Sequence, residues 1–373
     1  MKKYLLILFV LFVFCSFLQD NNLNVRTVPK ENDSITLVFA GDIMGHSPQF
    51  QAAYNPITKT YNYDPCFQYV KKYIESGDLA VCNLEVPIAG KPYSGYPGFS
   101  SPDALLDGLK NAGYDLLLTA NNHALDRGKH GLERTIHQIE KRKLLHAGSY
   151  ITTAQKDSLH PLIVSIKGAK LAFLNYTYGT NENKVEKPNI VNYIDSQQII
   201  SDIQKADKLG ANFKIVVMHW GIEYELHANE LERQLAHFLV GQGVDLIIGS
   251  HPHVVQNAEI LYGKDSLAVP VYYSLGNSIS NQRKINTNGG ILVKVKIDLK
   301  SRTVSNTSFL PVYVYRGVLN HLYQYYLIPT KDFKNKSIQF PINSSDSVLL
   351  MDFDKETQNR LSNMNPLHFL NLK

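Results

Sequence analysis

Several short segments carry the side chains best able to do chemistry. They are Gly41-Asp42-Ile43-Met44-Gly45-His46, Asn83-Leu84-Glu85, Asn121-Asn122-His123, His219-Trp220-Gly221 and Gly249-Ser250-His251-Pro252-His253. Carboxylate, amide oxygen and imidazole in one set, with no thiolate, suit a divalent Mn, Fe or Zn ion. His251 and His253 leave the chain on one side with the stiff Pro252 between them, a spacing that favours shared ligation. His46 follows Asp42 on the same loop and is placed to reach such a centre, as a ligand to metal or to substrate. Each residue also has an ordinary use. Asp42 reads as a helix N-cap, Asn121 and Asn122 as a turn, and His123 as a satisfied buried imidazole. Asp126 either orients His123 or caps the following turn, and both it and Asn121 are also candidates to contact metal or substrate. These ordinary uses would all have to coincide at one place. The chain has 13 histidines. His130, His137, His146, His160, His227, His237, His321 and His368 have no such setting and read as surface or packing residues.

What unites the segments is that each ends a buried apolar run. Strands are expected at 35–42, 79–85, 114–120, 213–218 and 244–248, with helices at 65–75, 102–112, 132–143, 195–208 and 230–240. Proline at 102 and Gly113 bracket one helix in the usual way. The runs 161–166 and 170–178, joined at 167–169, read as a hairpin. Further strands at 269–274, 290–298 and 304–315 have no helices between them and add antiparallel pairing. The fold class is therefore α/β, a layered sandwich with helices covering mixed sheets. In open α/β sheets ligands bind beyond the carboxyl ends of the strands, which is where these polar residues fall.

The remainder of the chain narrows the class. Its 38 Lys and Arg against 33 Asp and Glu leave +5 over 373 residues, too mild a balance to imply nucleic acid. Lys2 and Lys3 precede an apolar run of residues 4–17, so residues 1–20 read as a signal peptide or a signal anchor. The expected location is periplasmic or extracytoplasmic, with membrane anchoring through this segment or lipidation at Cys15 as alternatives. Residues 21–33 read as a linker, 34–315 as the main domain and 316–373 as a C-terminal accessory extension without its own core. Cys66 and Cys82 are open to a disulfide or to burial as free thiols.

The ordered set resembles a known family. Asp42-Ile43-Met44, Asn83-Leu84-Glu85, residues 121–128, His219 through Tyr224, residues 249–256 and Tyr273-Ser274-Leu275-Gly276-Asn277 look like the CapA family of poly-gamma-glutamate (capsule) biosynthesis proteins. The resemblance spans roughly 35–315 and implies the fold of the calcineurin-like metallophosphoesterases. It implies two divalent ions, with Asp42 at the first, Glu85 bridging in place of the usual Asp, and Asn122 at the second. His219, His251 and His253 would complete the shells and His123 would be the general acid. The usual Asp-x-His opening reads Asp42-Ile43-Met44 here, so either His46 replaces the imidazole or that site is weaker and more open. The implied role is in envelope-polymer biosynthesis, as a metal-dependent hydrolase of phosphoester or amide bonds. The alternative is a non-catalytic subunit that binds an anionic polymer through its metals, beside membrane synthesis or export partners. Glu223 and Tyr224, with Trp220, are candidates to shape the substrate site, although Trp220 reads equally as closing a loop over the core. Asn277 either contacts substrate or metal, or simply turns the chain.

Overall fold

Alternation along the strands decides the layering. In the strand Ser34–Ile43, Leu37 and Phe39 face one way and Val38 and Ala40 the other, and both faces are buried. Two sheets follow from strands of this kind in the structure, a computed structural model that describes residues 33–319 and 321–362. The expectations for residues 1–32, for Cys15 and for His368 lie outside the described residues.

The first sheet runs Leu322–Pro329, Thr303–Leu319, Gly289–Asp298, Ser34–Ile43, Leu79–Leu84, Leu116–Leu118, Leu145–Ala147, and Asn277–Ile279 also pairs with Ser34–Ile43. Its half from Ser34–Ile43 to Leu145–Ala147 is parallel, and the other half is antiparallel. The second sheet runs Ala258–Tyr262, Ala268–Tyr272, Leu246–Ser250, Phe213–His219, Ala169–Thr177, Leu162–Ile166, with a parallel centre and an antiparallel strand on each edge. The architecture is the expected layered α/β sandwich with mixed sheets.

Leu37, Phe39, Val81 and Leu118 of the first sheet meet Phe173, Ile215, Val217 and Ile248 of the second in one core. The outer face of the first sheet packs Cys82 and Leu117 on Leu105, Leu106 and Leu109 of the helix Ala104–Ala112. The second sheet packs Leu174, Val216 and Met218 on Ile199, Ile203, Ala236 and Leu239 from the helices Ser196–Lys208 and Glu230–Gly241. Each such side chain contributes about 1.5–3 kcal/mol by leaving water. The helix ends carry their own signals. Gly113 closes its helix at φ 107, and Asn229 with Glu232 forms a capping box at the start of Glu230–Gly241.

Two findings differ from the sequence reading. The boundary placed at 315 falls inside the strand Thr303–Leu319, and Leu322–Pro329 continues the first sheet, sending Tyr325 and Leu327 into its helix-side core. Phe340, Leu350 and Phe353 join the inter-sheet core, so the extension completes the sandwich. The region expected as one helix at 65–75 is two single turns, Asp64–Phe67 and Lys71–Ile74. Cys66 and Cys82 are buried free thiols, and burial pushes the Cys66 thiol up to about 12. No helix among the described residues is long and apolar enough to cross a membrane.

Candidate metal centre

The carboxyl ends of the parallel strands from both sheets meet at one edge, and close backbone approach makes this possible. A Cβ on Gly41 would lie 1.9 Å from the Gly276 carbonyl oxygen, and one on Gly249 would lie 1.8 Å from that of Tyr273. Only glycine fits either position. The ladder shifts between Ala40 and Asp42, which aims the Asp42 carboxylate at the edge opposite Asn277.

Asp42 Oδ1 accepts from Asn83 Nδ2 at 2.8 Å, and Asp42 Oδ2 lies 3.2 Å from His253 Nδ1. Asn83 Nδ2 also reaches Glu85 Oε2 at 3.2 Å. Glu85 Oε1 has no hydrogen-bond partner, yet stands 3.6 Å from His253 Nε2 and 3.7 Å from His219 Nε2. His219 Nε2 lies 3.0 Å from Asn122 Oδ1, and its Nδ1 lies 3.0 Å from Ser250 Oγ. Two groups result, Asp42–Glu85–His253 and Glu85–His219–His251, each with its ligand atoms all within 4.8 Å of one another. Glu85 belongs to both.

The electrostatics of this cluster are those of a cation site. Burial, and then the neighbouring Asp42, hold the Glu85 carboxyl well above its usual range. Burial, followed by the adjacent imidazoles, holds His219 well below its ordinary value and takes His251 down to about 3. His219 and His251 are therefore neutral at neutral pH, the form that ligates metal. His251 Nδ1 is a second buried atom without a partner. Buried orphans are rare in folded proteins and call for an explanation; a divalent cation in each group would satisfy both. His251 and His253 also adopt φ of 103° and 59° around Pro252. Such backbone costs about 1–3 kcal/mol per residue and collects at functional sites.

Around these groups the other candidates sort by what they touch. His123 Nδ1 lies 2.8 Å from Asp126 Oδ2, which also accepts the Phe99 N–H at 2.9 Å. Asp126 thus orients the imidazole. Asn121 donates to the Leu84 carbonyl at 2.8 Å and accepts the His123 N–H at 3.2 Å, bracing the turn outside either group. His46 joins neither group. Its Nδ1 lies 3.0 Å from Gln49 Oε1, and its ring packs edge-on against Phe99, as the His123 ring does. Met44, at the position where the resemblance implies an imidazole, is buried. Asn277 Oδ1 lies 3.2 Å from His253 Nδ1 and its Nδ2 donates to the His253 and Thr287 carbonyls, which makes it a brace behind a candidate ligand. Trp220 is buried and donates to the Tyr273 carbonyl, closing a loop over the core. Glu223 is exposed, and Tyr224, at φ 72°, places its ring 6.3 Å from that of His253.

Sequence reasoning missed Tyr178 and gave Asn83 and Ser250, within segments it singled out, no role of their own. Tyr178 lies parallel to His219 with centroids 6.1 Å apart and 4.6 Å from His251, half-exposed at the rim. Burial, then Glu223 and Glu85, push its phenol up to about 12. The signal available was position alone, since Tyr178 follows a strand paired directly to the one that ends in His219.

Residues 36–282 match the family model described as Bacterial capsule synthesis protein PGA_cap. The chain belongs to this family. It is 29% identical over 271 residues to the PGA biosynthesis protein CapA of Bacillus subtilis (strain 168), covering 70% of this chain and 68% of that one. It is 26% identical over 297 residues to the Capsule biosynthesis protein CapA of Bacillus anthracis, covering 76% and 69%. Among solved structures, Haemophilus influenzae NAD nucleotidase (NadN) superposes with a TM-score of 0.48 at 11% identity, covering 87% of this chain and 60% of that one. The 5'-nucleotidase from Candida albicans SC5314 superposes at 0.41 and 14% identity, covering 90% and 60%. Superpositions this loose add nothing to the family membership, which rests on the sequence matches. Every residue of the two ligand groups falls inside the matched segment.

Proposed function

We propose that this chain is an exported member of the PGA_cap family that acts in capsule or poly-gamma-glutamate-type polymer biosynthesis as a metal-dependent hydrolase of phosphoester or amide bonds. The observation that carries the proposal is Glu85, a buried carboxylate shared by two ligand groups, beside an imidazole braced by Asp126. The relatives' names supply the polymer context. Asp42 and His253 would hold one divalent ion, Asn122, His219 and His251 a second, with Glu85 common to both. Such ions supply Lewis acidity and activate water at neutral pH. Within the protein, Asp126 fixes the His123 ring through Nδ1, which leaves Nε2 to hand a proton to a leaving oxygen or nitrogen. Tyr178 shields His219 and His251 from water. Export, membrane anchoring and membrane partners belong to the same proposal.

Metal analysis of the purified protein, coupled to turnover on phosphoester and gamma-glutamyl substrates, tests it. Stoichiometric divalent metal and turnover that both fall in His251→Ala are expected. A His251→Ala protein that keeps its metal and its activity contradicts the proposal.

One observation favours a second reading, in which the site binds an anionic polymer through its metals without cleaving it. The group at Asp42 gathers Asp42, Glu85 and His253, while His46 stays outside it at 3.0 Å from Gln49 Oε1, so that side would be the weaker and more open of the two. His123→Ala separates the two. Lost turnover with retained binding supports the enzyme, whereas wild-type protein with metal and no turnover supports the binding subunit.

A further inference from the structure

The loop 280–288, between the strands Asn277–Ile279 and Gly289–Asp298, borders the metal-ligand cluster and carries two exposed cations, Arg283 and Lys284. On the site side, Asn277 Nδ2 donates to Gln282 Oε1 at 2.9 Å, and the Asn281 N–H lies 3.3 Å from His46 Nδ1. On the far side, the Tyr325 hydroxyl donates to Asn281 Oδ1 at 2.7 Å, Arg316 donates to the Gln282 carbonyl, and Arg283 reaches the Tyr323 hydroxyl at 3.2 Å. The loop is pinned between the site and the two C-terminal strands of the first sheet.

Its cations have no anion to match. Among the described residues, Arg283, Lys284 and Arg316 make no ion pair with a carboxylate. Burial first, and then the neighbouring Arg283, depress Arg316 below its usual value. Lys284 Nζ instead sits 3.5 Å from the centroid of Tyr224, the ring that lies against His253. An exposed cation–π contact is weak and yields readily to a charge-assisted hydrogen bond. Glu223 is exposed at this rim and, after burial, helps raise the Tyr224 phenol.

We propose that Arg283 and Lys284 form an anion-reading arm, which takes a carboxylate or phosphate carried by the substrate chain next to the group held at the Glu85 centre. Tyr224 parks Lys284 in reach until the anion arrives. The tail strands act as positioning elements through Tyr325 and Arg316. The arm deepens the polymer-processing reading above and rests on it for the identity of the site, while its cations lie beyond the segment the family model matches.

The test is binding of gamma-linked hexaglutamate and of tripolyphosphate to the full chain at low and high salt, with metal content measured in parallel. Lys284→Gln is expected to weaken binding about tenfold, with a shallower salt dependence and unchanged metal. Lys284→Arg restores binding, and Glu223→Gln tightens it. A preference for one probe says which anion the arm reads. Arg283→Gln/Lys284→Gln protein that binds both probes as the wild type does overturns the proposal, as does a wild type that binds neither. Wild-type protein without metal that still binds hexaglutamate through Lys284 would remove the metal reading and leave the arm standing.

Discussion

Two buried histidine clusters in this molecule look alike in composition and differ in what they ask of their surroundings. In the first, His160 Nδ1 lies 3.1 Å from the Tyr150 hydroxyl, and Nε2 lies 2.8 Å from Asp202 Oδ2, off the line of an ideal hydrogen bond. Asp202 also accepts from the Tyr176 hydroxyl at 2.9 Å and from Gln198 at 2.8 Å. Acid and hydroxyls answer one another here, and the His160 nitrogen that makes no hydrogen bond still faces the Asp202 carboxylate. In the second, His219, His251 and His253 converge with Asp42 and Glu85, and Glu85 Oε1 and His251 Nδ1 are left over. A lone orphan is not enough to mark such a place. His146 is buried with neither ring nitrogen hydrogen-bonded, yet among the described residues it has one carboxylate in reach, Glu140 at 3.5 Å, and joins no group of converging ligands. What marks the metal centre is several donors aimed at the same space from different strands.

Neutralising one acid in each cluster should break the likeness most visibly. Asp202→Asn removes half of a buried pair and is expected to lower stability by about 3–5 kcal/mol in denaturant unfolding, with metal content unchanged. Glu85→Gln in chelator-treated protein is expected to leave stability equal or higher, because its carboxylate is buried beside Asp42. Equal losses in the two variants would erase the distinction. A smaller effect comes from the brace on His123. Asp126→Asn should lower turnover by about 10–100-fold and shift the pH–rate profile while the metal stays bound, the scale of other supporting contacts at metal sites. An unchanged pH profile would reduce Asp126 to a structural residue.

The smallest effect lies in acid. Burial alone raises the Asp202 carboxyl, but His160, Tyr176 and Gln198 together carry it below its ordinary 3.8. A depressed folded value means stability that is present above about pH 3.8 and lost as the pH falls through that lower value. The acid limb of unfolding should therefore flatten in Asp202→Asn, and a limb of unchanged slope would count against this assignment.

Much of this was legible in the sequence because the site lies where buried strands stop. Asp42, Glu85, His219, His251 and His253 lie where each apolar run meets its polar end, whereas Asn122 was set apart from Asn121 only by the family resemblance. Asn121 and Asn277 could not be separated from ligands that way. Both are amides at strand ends, and only the third dimension shows that one holds a turn and the other braces His253. Asp126 presented the opposite difficulty, since capping and orienting use the same residue at the same spacing. Tyr178 was hidden because a tyrosine ending an apolar strand looks like core. The strand Leu322–Pro329 was missed because its alternation of exposed Leu322 with inward Tyr325 and Leu327 is short, and nothing local names its pairing partner. The left-handed backbone of His251 and His253 has no sequence signal, as neither residue is glycine or asparagine.

The most direct measurement is the metal stoichiometry of the purified wild type and of Glu85→Gln, with circular dichroism to show that both are folded. The shared carboxylate predicts stoichiometric divalent metal on the wild type and a loss on Glu85→Gln greater than the roughly 10–100-fold affinity cost of an outer contact. Folded wild-type protein that takes up no divalent metal, or Glu85→Gln protein that holds as much as the wild type, would contradict it.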